Sequence, residues 1–153
     1  MKDSMTMRMM LLVLLSLLVA SPVDANQQVE AGDLVLMYSA IPSLDLQPDV
    51  ARQYRLTRSA GRMLLNVALH RRLDDGATTA ISGTLRAAAT NQAGQRQELR
   101  LDEVREGDAI YYLAEVRASD GDTLTFDIEA SGDVEGRLLP IGVRFVQPYF
   151  VPR

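Results

Sequence analysis

Arg105-Glu106-Gly107-Asp108-Ala109-Ile110-Tyr111-Tyr112-Leu113-Ala114-Glu115-Val116 opens on a charged turn and runs into a segment rich in apolar side chains. Successive side chains of an extended strand point to opposite faces. Ile110, Tyr112, Ala114 and Val116 therefore share one face, and Tyr111 and Leu113 lie on the other. A strand apolar on both faces is covered on both. The stretch predicts a central strand of a layered β protein, with the remaining chain beside or over it.

Outward from that strand the same period of two recurs. Downstream, Leu124, Phe126 and Ile128 alternate with Thr125, Asp127 and Glu129, which predicts a strand with one wet face. Leu139, Ile141, Val143 and Phe145 then alternate with Pro140, Gly142, Arg144 and Val146. Upstream, Leu99 and Leu101 mark a half-exposed strand, and Thr78 to Thr90 reads as one long strand. Arg62 to His70 sets Met63, Leu65, Val67 and Leu69 against Leu64, Asn66, Ala68 and His70. The apolar run from Asp33 to Ile41, bounded by Gly32 and Pro42, is a buried strand. Turn residues separate these segments at Asp74-Asp75-Gly76, Asn91-Gln92-Ala93-Gly94 and Ser119-Asp120-Gly121-Asp122. Pro48 suits the first position of a helix, and Val50 and Tyr54 then fall on one face, so one short helix of at most about two turns is expected. Seven strands at near-regular spacing, without helices between them, predict an all-β, immunoglobulin-like antiparallel β-sandwich with one short helix. Ala109-Ile110-Tyr111-Tyr112 is also similar to a tyrosine corner, in which a Tyr hydroxyl ties a strand's start to the preceding loop, although Gly107 stands where an acidic residue is usual.

The first residues read as an address. Lys2 and Arg8 precede an apolar run from Met9 to Val19, too short to span a bilayer comfortably. Small residues before Asn26 place a signal-peptidase cut after Ala25, so residues 1–25 are expected to be a cleaved signal peptide and 26–153 a single domain, periplasmic and with no membrane anchor after cleavage. Cleavage removes Lys2, Arg8, Asp3 and Asp24, which leaves the net charge at -4. An acidic balance argues against nucleic acid. Cysteine is absent, which excludes disulfides, thiolate metal ligands and a lipidated cysteine, so the exported domain must be held by its core. Lys2 is the only lysine; the arginine and alanine richness elsewhere reads as coding bias rather than as an anion site.

Few residue patterns carry chemistry. Nucleophilic catalysis has no Cys, no Gly-x-Ser-x-Gly elbow and a single His to work with. His70, beside Arg71 and Arg72, reads as a neutral rim residue. One His and scattered carboxylates supply no metal-ligand spacing, and Met37 and Met63 sit at core-like positions, so no metal or cofactor is expected. Asp120-Gly121-Asp122 is a hairpin turn before it is a calcium loop. Glu103, Glu106, Asp108 and Glu115 cluster near the central strand, where a charge cluster is more often a solvated face than an acid-base pair. Asn66 is more informative, because an amide between Leu65 and Val67 in a buried strand must find partners, either by pinning a loop or by contacting a ligand. The terminal Gln147-Pro148-Tyr149-Phe150-Val151-Pro152 is expected to cap the sandwich edge, with a sticky tail as the alternative.

At Arg105 to Tyr112 and at Leu64-Leu65-Asn66-Val67 the chain resembles the small gammaproteobacterial exported proteins of domain-of-unknown-function family 4426. Weaker points of similarity are Pro48-Asp49-Val50-Ala51 with Tyr54, Arg58-Ser59, Ser82-Gly83, Gly94-Gln95, Phe126-Asp127-Ile128, and Gln147 with Phe150. It departs from that family's pattern at Met63, where Gly is usual, and in a longer hairpin from Arg71 to Gly76. The resemblance implies an exported, periplasmic β-sandwich and brings no activity with it.

The leading expectation is a non-catalytic module that contacts an envelope or periplasmic protein. A small-ligand domain is the alternative, and an enzyme using paired carboxylates comes third. Candidate ligand or partner contacts are Asn66, Tyr112, Glu106, Asp108, Tyr149 and Phe150.

Overall fold

Residues 27–153, which the computed structural model describes, form ten strands in two antiparallel sheets, because each alternating segment has one apolar face to bury. The apolar run from Met9 to Val19 and the expected cut after Ala25 lie outside the described residues. The first sheet runs in the order β1 (Gln27–Ala31), β2 (Leu34–Pro42), β3 (Arg62–Arg72), β8 (Ala109–Arg117), β7 (Asp102–Glu106). β4 (Thr78–Ala80) pairs with the end of β3 that β8 leaves uncovered. The second sheet runs β10 (Arg137–Pro148), β9 (Thr123–Val134), β5 (Gly83–Thr90), β6 (Arg96–Leu99). The helix α1 (Pro48–Gln53) follows a single 3-10 turn at Ser43–Asp45.

The sandwich expected from the alternation is present, with more strand segments than the seven read from sequence. β1 precedes the first of them, and two segments read as continuous are each divided between the sheets. Thr78 to Thr90 breaks at Ile81 and Ser82, where the chain passes from β4 in the first sheet to β5 in the second. The chain returns across Arg100 and Leu101, from β6 to β7. A period-two pattern survives such a crossing, since each half still has one inward face. Gly83 sits at the first crossing with its ideal Cβ position 2.4 Å from the Ser131 carbonyl oxygen and 2.6 Å from Leu69 Cδ2, so only glycine lets the backbones approach this closely.

The core lies between the sheets. Leu34, Leu36 and Tyr38 of β2, Met63, Leu65, Val67 and Leu69 of β3, and Ile110, Tyr112 and Val116 of β8 face Ala87, Ala89, Leu124, Phe126 and Ile128. Phe126 stacks on Phe145 with ring centroids 4.9 Å apart, and Tyr38 lies against the same ring at 4.6 Å. The more central strand is β3; β8 lies between it and the edge strand β7, whose sequence Asp-Glu-Val-Arg-Glu carries the charges that discourage edge pairing. Tyr112 does not make the expected tyrosine corner. Its hydroxyl reaches Gly83 on the far side of the crossover and Glu103 on the neighbouring strand, instead of the loop before its own strand.

Candidate functional site

The outer face of the first sheet is where the strand pattern and the helix meet. Antiparallel register sets Ser39, Asn66 and Leu113 in one row across β2, β3 and β8, with Ile41 and Leu64 in the next. The chain from Ser43 to Ser59 folds over this face. Pro48 presets the first turn of α1, and Val50 and Tyr54, one turn apart, share the side that looks down on the sheet. Arg55 ends the helix in the left-handed conformation at φ 56°, and the Leu56 N–H donates to Ala51 O at 2.8 Å, closing a Schellman turn that drops Leu56 onto the sheet. The cover is then clipped down. Buried Ser43 exchanges hydrogen bonds with the Ser59 backbone, accepting from its N–H at 3.0 Å and donating to its carbonyl at 2.9 Å. Thr57 N–H donates to the Glu115 carboxylate at 2.6 Å, and Arg58 donates to Leu44 O at 3.0 Å.

Between cover and sheet remains a groove of about 250 Å³. Ser39, Ile41, Leu64, Asn66, Tyr111 and Leu113 form its floor, Leu46, Val50, Tyr54 and Leu56 its roof, and Val104 and Glu106 of β7 its open side. Asn66 Oδ1 is buried and finds no hydrogen-bond donor among the described residues. An orphaned buried acceptor costs about 1–3 kcal/mol, so Asn66 does not pin a loop; it holds an unused acceptor beneath an apolar groove. Glu106 is the one charged residue lining the groove among the described residues, and it accepts a hydrogen bond from Gln53 Nε2 at 3.2 Å.

The other candidate contacts lie elsewhere. Tyr112, adjacent to the groove residue Tyr111, points through to the opposite face. Its hydroxyl accepts from Gly83 N–H at 3.0 Å and donates to Glu103 at 3.0 Å, while Arg105 donates to Glu103 at 2.7 Å and also to Ser82. Burial raises the Tyr112 pKa, and the hydrogen bonds first of Arg105 and then of Tyr112 hold the Glu103 carboxyl below its usual range. That is the opposite of what a general acid needs. Glu115 is likewise paired with Arg62 and not with a second carboxylate. Asp108 is exposed in the turn between β7 and β8. Tyr149 is 0% exposed, with its hydroxyl donating to Ala60 O and its backbone N–H to Asp122 O at 2.7 Å. Phe150 is 67% exposed.

The structure thus brings Asn66 and Glu106 to one groove and leaves Tyr112, Asp108, Tyr149 and Phe150 outside it. Sequence reasoning did not single out Tyr54, Tyr111 and Leu113, which line this groove. Their signal was present, as the alternation that separates Tyr111 from Tyr112 and the helical spacing of Val50 and Tyr54, but nothing local says that these two faces oppose each other.

His70 lies near the end of β3 with Nδ1 3.2 Å from Thr78 Oγ1, and burial, rather than its arginine neighbours, lowers its pKa. Among the described residues no group of three or more His, Asp or Glu side chains is placed to hold a metal ion. Met63 is fully buried in the core, and Met37 sits opposite Ala68 on the sheet's outer face.

No curated protein matches the chain. Among solved structures, a DUF4426 family protein from Pseudomonas aeruginosa PAO1 is 26% identical with a TM-score of 0.69, the match covering 86% of this chain and 99% of that one. FetP from uropathogenic E. coli strain F11, expressed recombinantly in the periplasm, is 16% identical with a TM-score of 0.58 over 84% of this chain and 96% of its own. A copper-bound variant of FetP is similar at 16% identity and a TM-score of 0.57, covering 82% and 95%. At that identity FetP shows a shared fold and no more. The family model described as a domain of unknown function, DUF4426, matches residues 28–151, and the chain belongs to that family.

Proposed function

We propose that this protein is a non-catalytic binding domain of the periplasm, and that the groove between α1 and the outer face of the first sheet is its binding site. The single observation that carries this reading is the unpartnered Asn66 Oδ1 under an otherwise apolar groove. Small-molecule sites pair an apolar lining with a few placed polar groups. The export half of the reading rests on the leader pattern before Asn26, and periplasmic expression of FetP is compatible with it. The copper of FetP is not carried over, because among the described residues one imidazole at His70 and the thioethers of Met37 and Met63, of which Met63 is buried in the core, do not make a copper donor set.

Thermal unfolding of the purified protein against a panel of small amphiphilic metabolites tests the site. A binder raises Tm in the wild type and leaves it unchanged in Leu113→Trp, which fills the groove from its floor. If no compound stabilises the wild type, or if stabilisation survives Leu113→Trp, the groove is not the site.

A second reading, contact with an envelope protein, is favoured by Phe150, which exposes 67% of its surface beside the buried Tyr149, and by Val146, exposed at 60% on the outer face of β10. Crosslinking in the periplasm would capture one reproducible partner with wild type and lose it with Phe150→Ser. Capture that is indifferent to Phe150 removes this surface from consideration.

A further inference from the structure

The chemistry of the groove also selects what it takes. We infer that its ligand is a small amine with an apolar body, bound as the ammonium ion; this rests on the groove being the binding site.

Three features converge on a cation. Glu106 stands at the open side with one carboxylate oxygen accepting from Gln53, and no arginine lines the groove to neutralise it. Tyr54 and Tyr111 put two aromatic rings in the lining, and the faces of such rings attract cations and not anions. Asn66 Oδ1 lacks a donor. A half-turn of that amide would exchange its oxygen and nitrogen within nearly the same outline and turn the oxygen toward an N–H entering from the groove, at the cost of moving the amide nitrogen into the buried position. A carboxylate or phosphate ligand would instead face Glu106 with no basic partner, which is a repulsive arrangement. A neutral apolar ligand would leave the Asn66 acceptor unsatisfied.

Size restricts the class further. The cavity of about 250 Å³ lies below the range of drug-sized sites. An aliphatic or single-ring amine fits, whereas a nucleotide or a folded peptide does not. The remaining walls, including Ile41, Leu46 and Leu64, are aliphatic and suit a branched hydrocarbon body.

The test holds the body constant and changes the head. Isoamylamine, isoamyl alcohol and isovalerate are titrated into the isotopically labelled protein, and Kd is read from the amide shifts of groove residues. The amine is expected to bind at least about tenfold more tightly than the alcohol, with no saturable shift from isovalerate. Glu106→Gln is expected to weaken the amine to the level of the alcohol. Equal binding of amine and alcohol, or an amine affinity indifferent to Glu106→Gln, overturns the cation inference while the groove remains a site. Tighter binding of isovalerate overturns it as well. If none of the three shifts the groove amides, the inference fails together with the proposed site.

Discussion

Asn66 combines a favourable place with an unfavourable bond count, since its side chain lies in a covered row of the sheet but its Oδ1 has no donor among the described residues. Asn66→Leu removes the orphan and keeps the volume, so the urea midpoint should rise by the equivalent of about 1 kcal/mol while ligand affinity falls. A loss of stability instead would mean that the amide has a structural partner. Charged residues make a second prediction at this scale. Glu103 is held below the usual carboxylate range by Arg105 and then Tyr112, and Asp127 is held below it chiefly by Arg144. The folded pKa values lie below the unfolded ones, so this stabilisation is complete above the ordinary carboxylate pKa and is lost as pH falls through it toward the folded values. Unfolding midpoints should therefore drop as pH falls from about 5 to about 3, and less steeply in the double variant Glu103→Gln, Asp127→Asn. A slope unchanged in that variant would assign the acid sensitivity to other groups. Of these residues, Asn66 announced itself in sequence, because an amide inside an apolar strand stands out. Glu103 did not, since its partners Tyr112 and Arg105 are identified by strand pairing and not by spacing.

At the scale of elements, α1 is the roof of the groove and Arg55 is its strained end. A left-handed non-glycine residue costs about 1–2 kcal/mol, partly offset because glycine loses more entropy on folding. Arg55→Gly should raise stability by up to about 1 kcal/mol without changing the groove's lining, checked by denaturant unfolding beside ligand titration. A decrease would show that the Arg55 side chain contributes more than its backbone costs. The helix itself was legible, since Pro48 and the spacing of Val50 and Tyr54 mark its start and its buried side. The strand breaks at Ile81-Ser82 and Arg100-Leu101 were not, because alternation continues across a point where the chain changes sheets.

At the scale of the molecule, the last strand and its tail close the end of the sandwich. Tyr149 exchanges backbone hydrogen bonds with the turn from Gly121 to Asp122 and is fully buried, whereas Phe150 faces solvent. Tyr149→Ala should destabilise by about 3–5 kcal/mol, as for other buried large aromatics, and Phe150→Ser by less than about 0.5 kcal/mol. Comparable losses would place Phe150 in the fold rather than on its surface. By itself the sequence determined the β class, the inward faces of strands with one polar face such as Thr123 to Ala130, the short helix and the family, because periodicity, turn chemistry and short motifs are local properties of the chain. Only the tertiary structure decided which faces oppose each other. It buried Tyr112 and Tyr149, exposed Phe150, and brought Asn66 from β3, Tyr54 from the end of α1 and Glu106 from β7 around one small groove. That assembly depends on sheet order and register, which arise from pairing between segments far apart in the chain and which no single segment encodes.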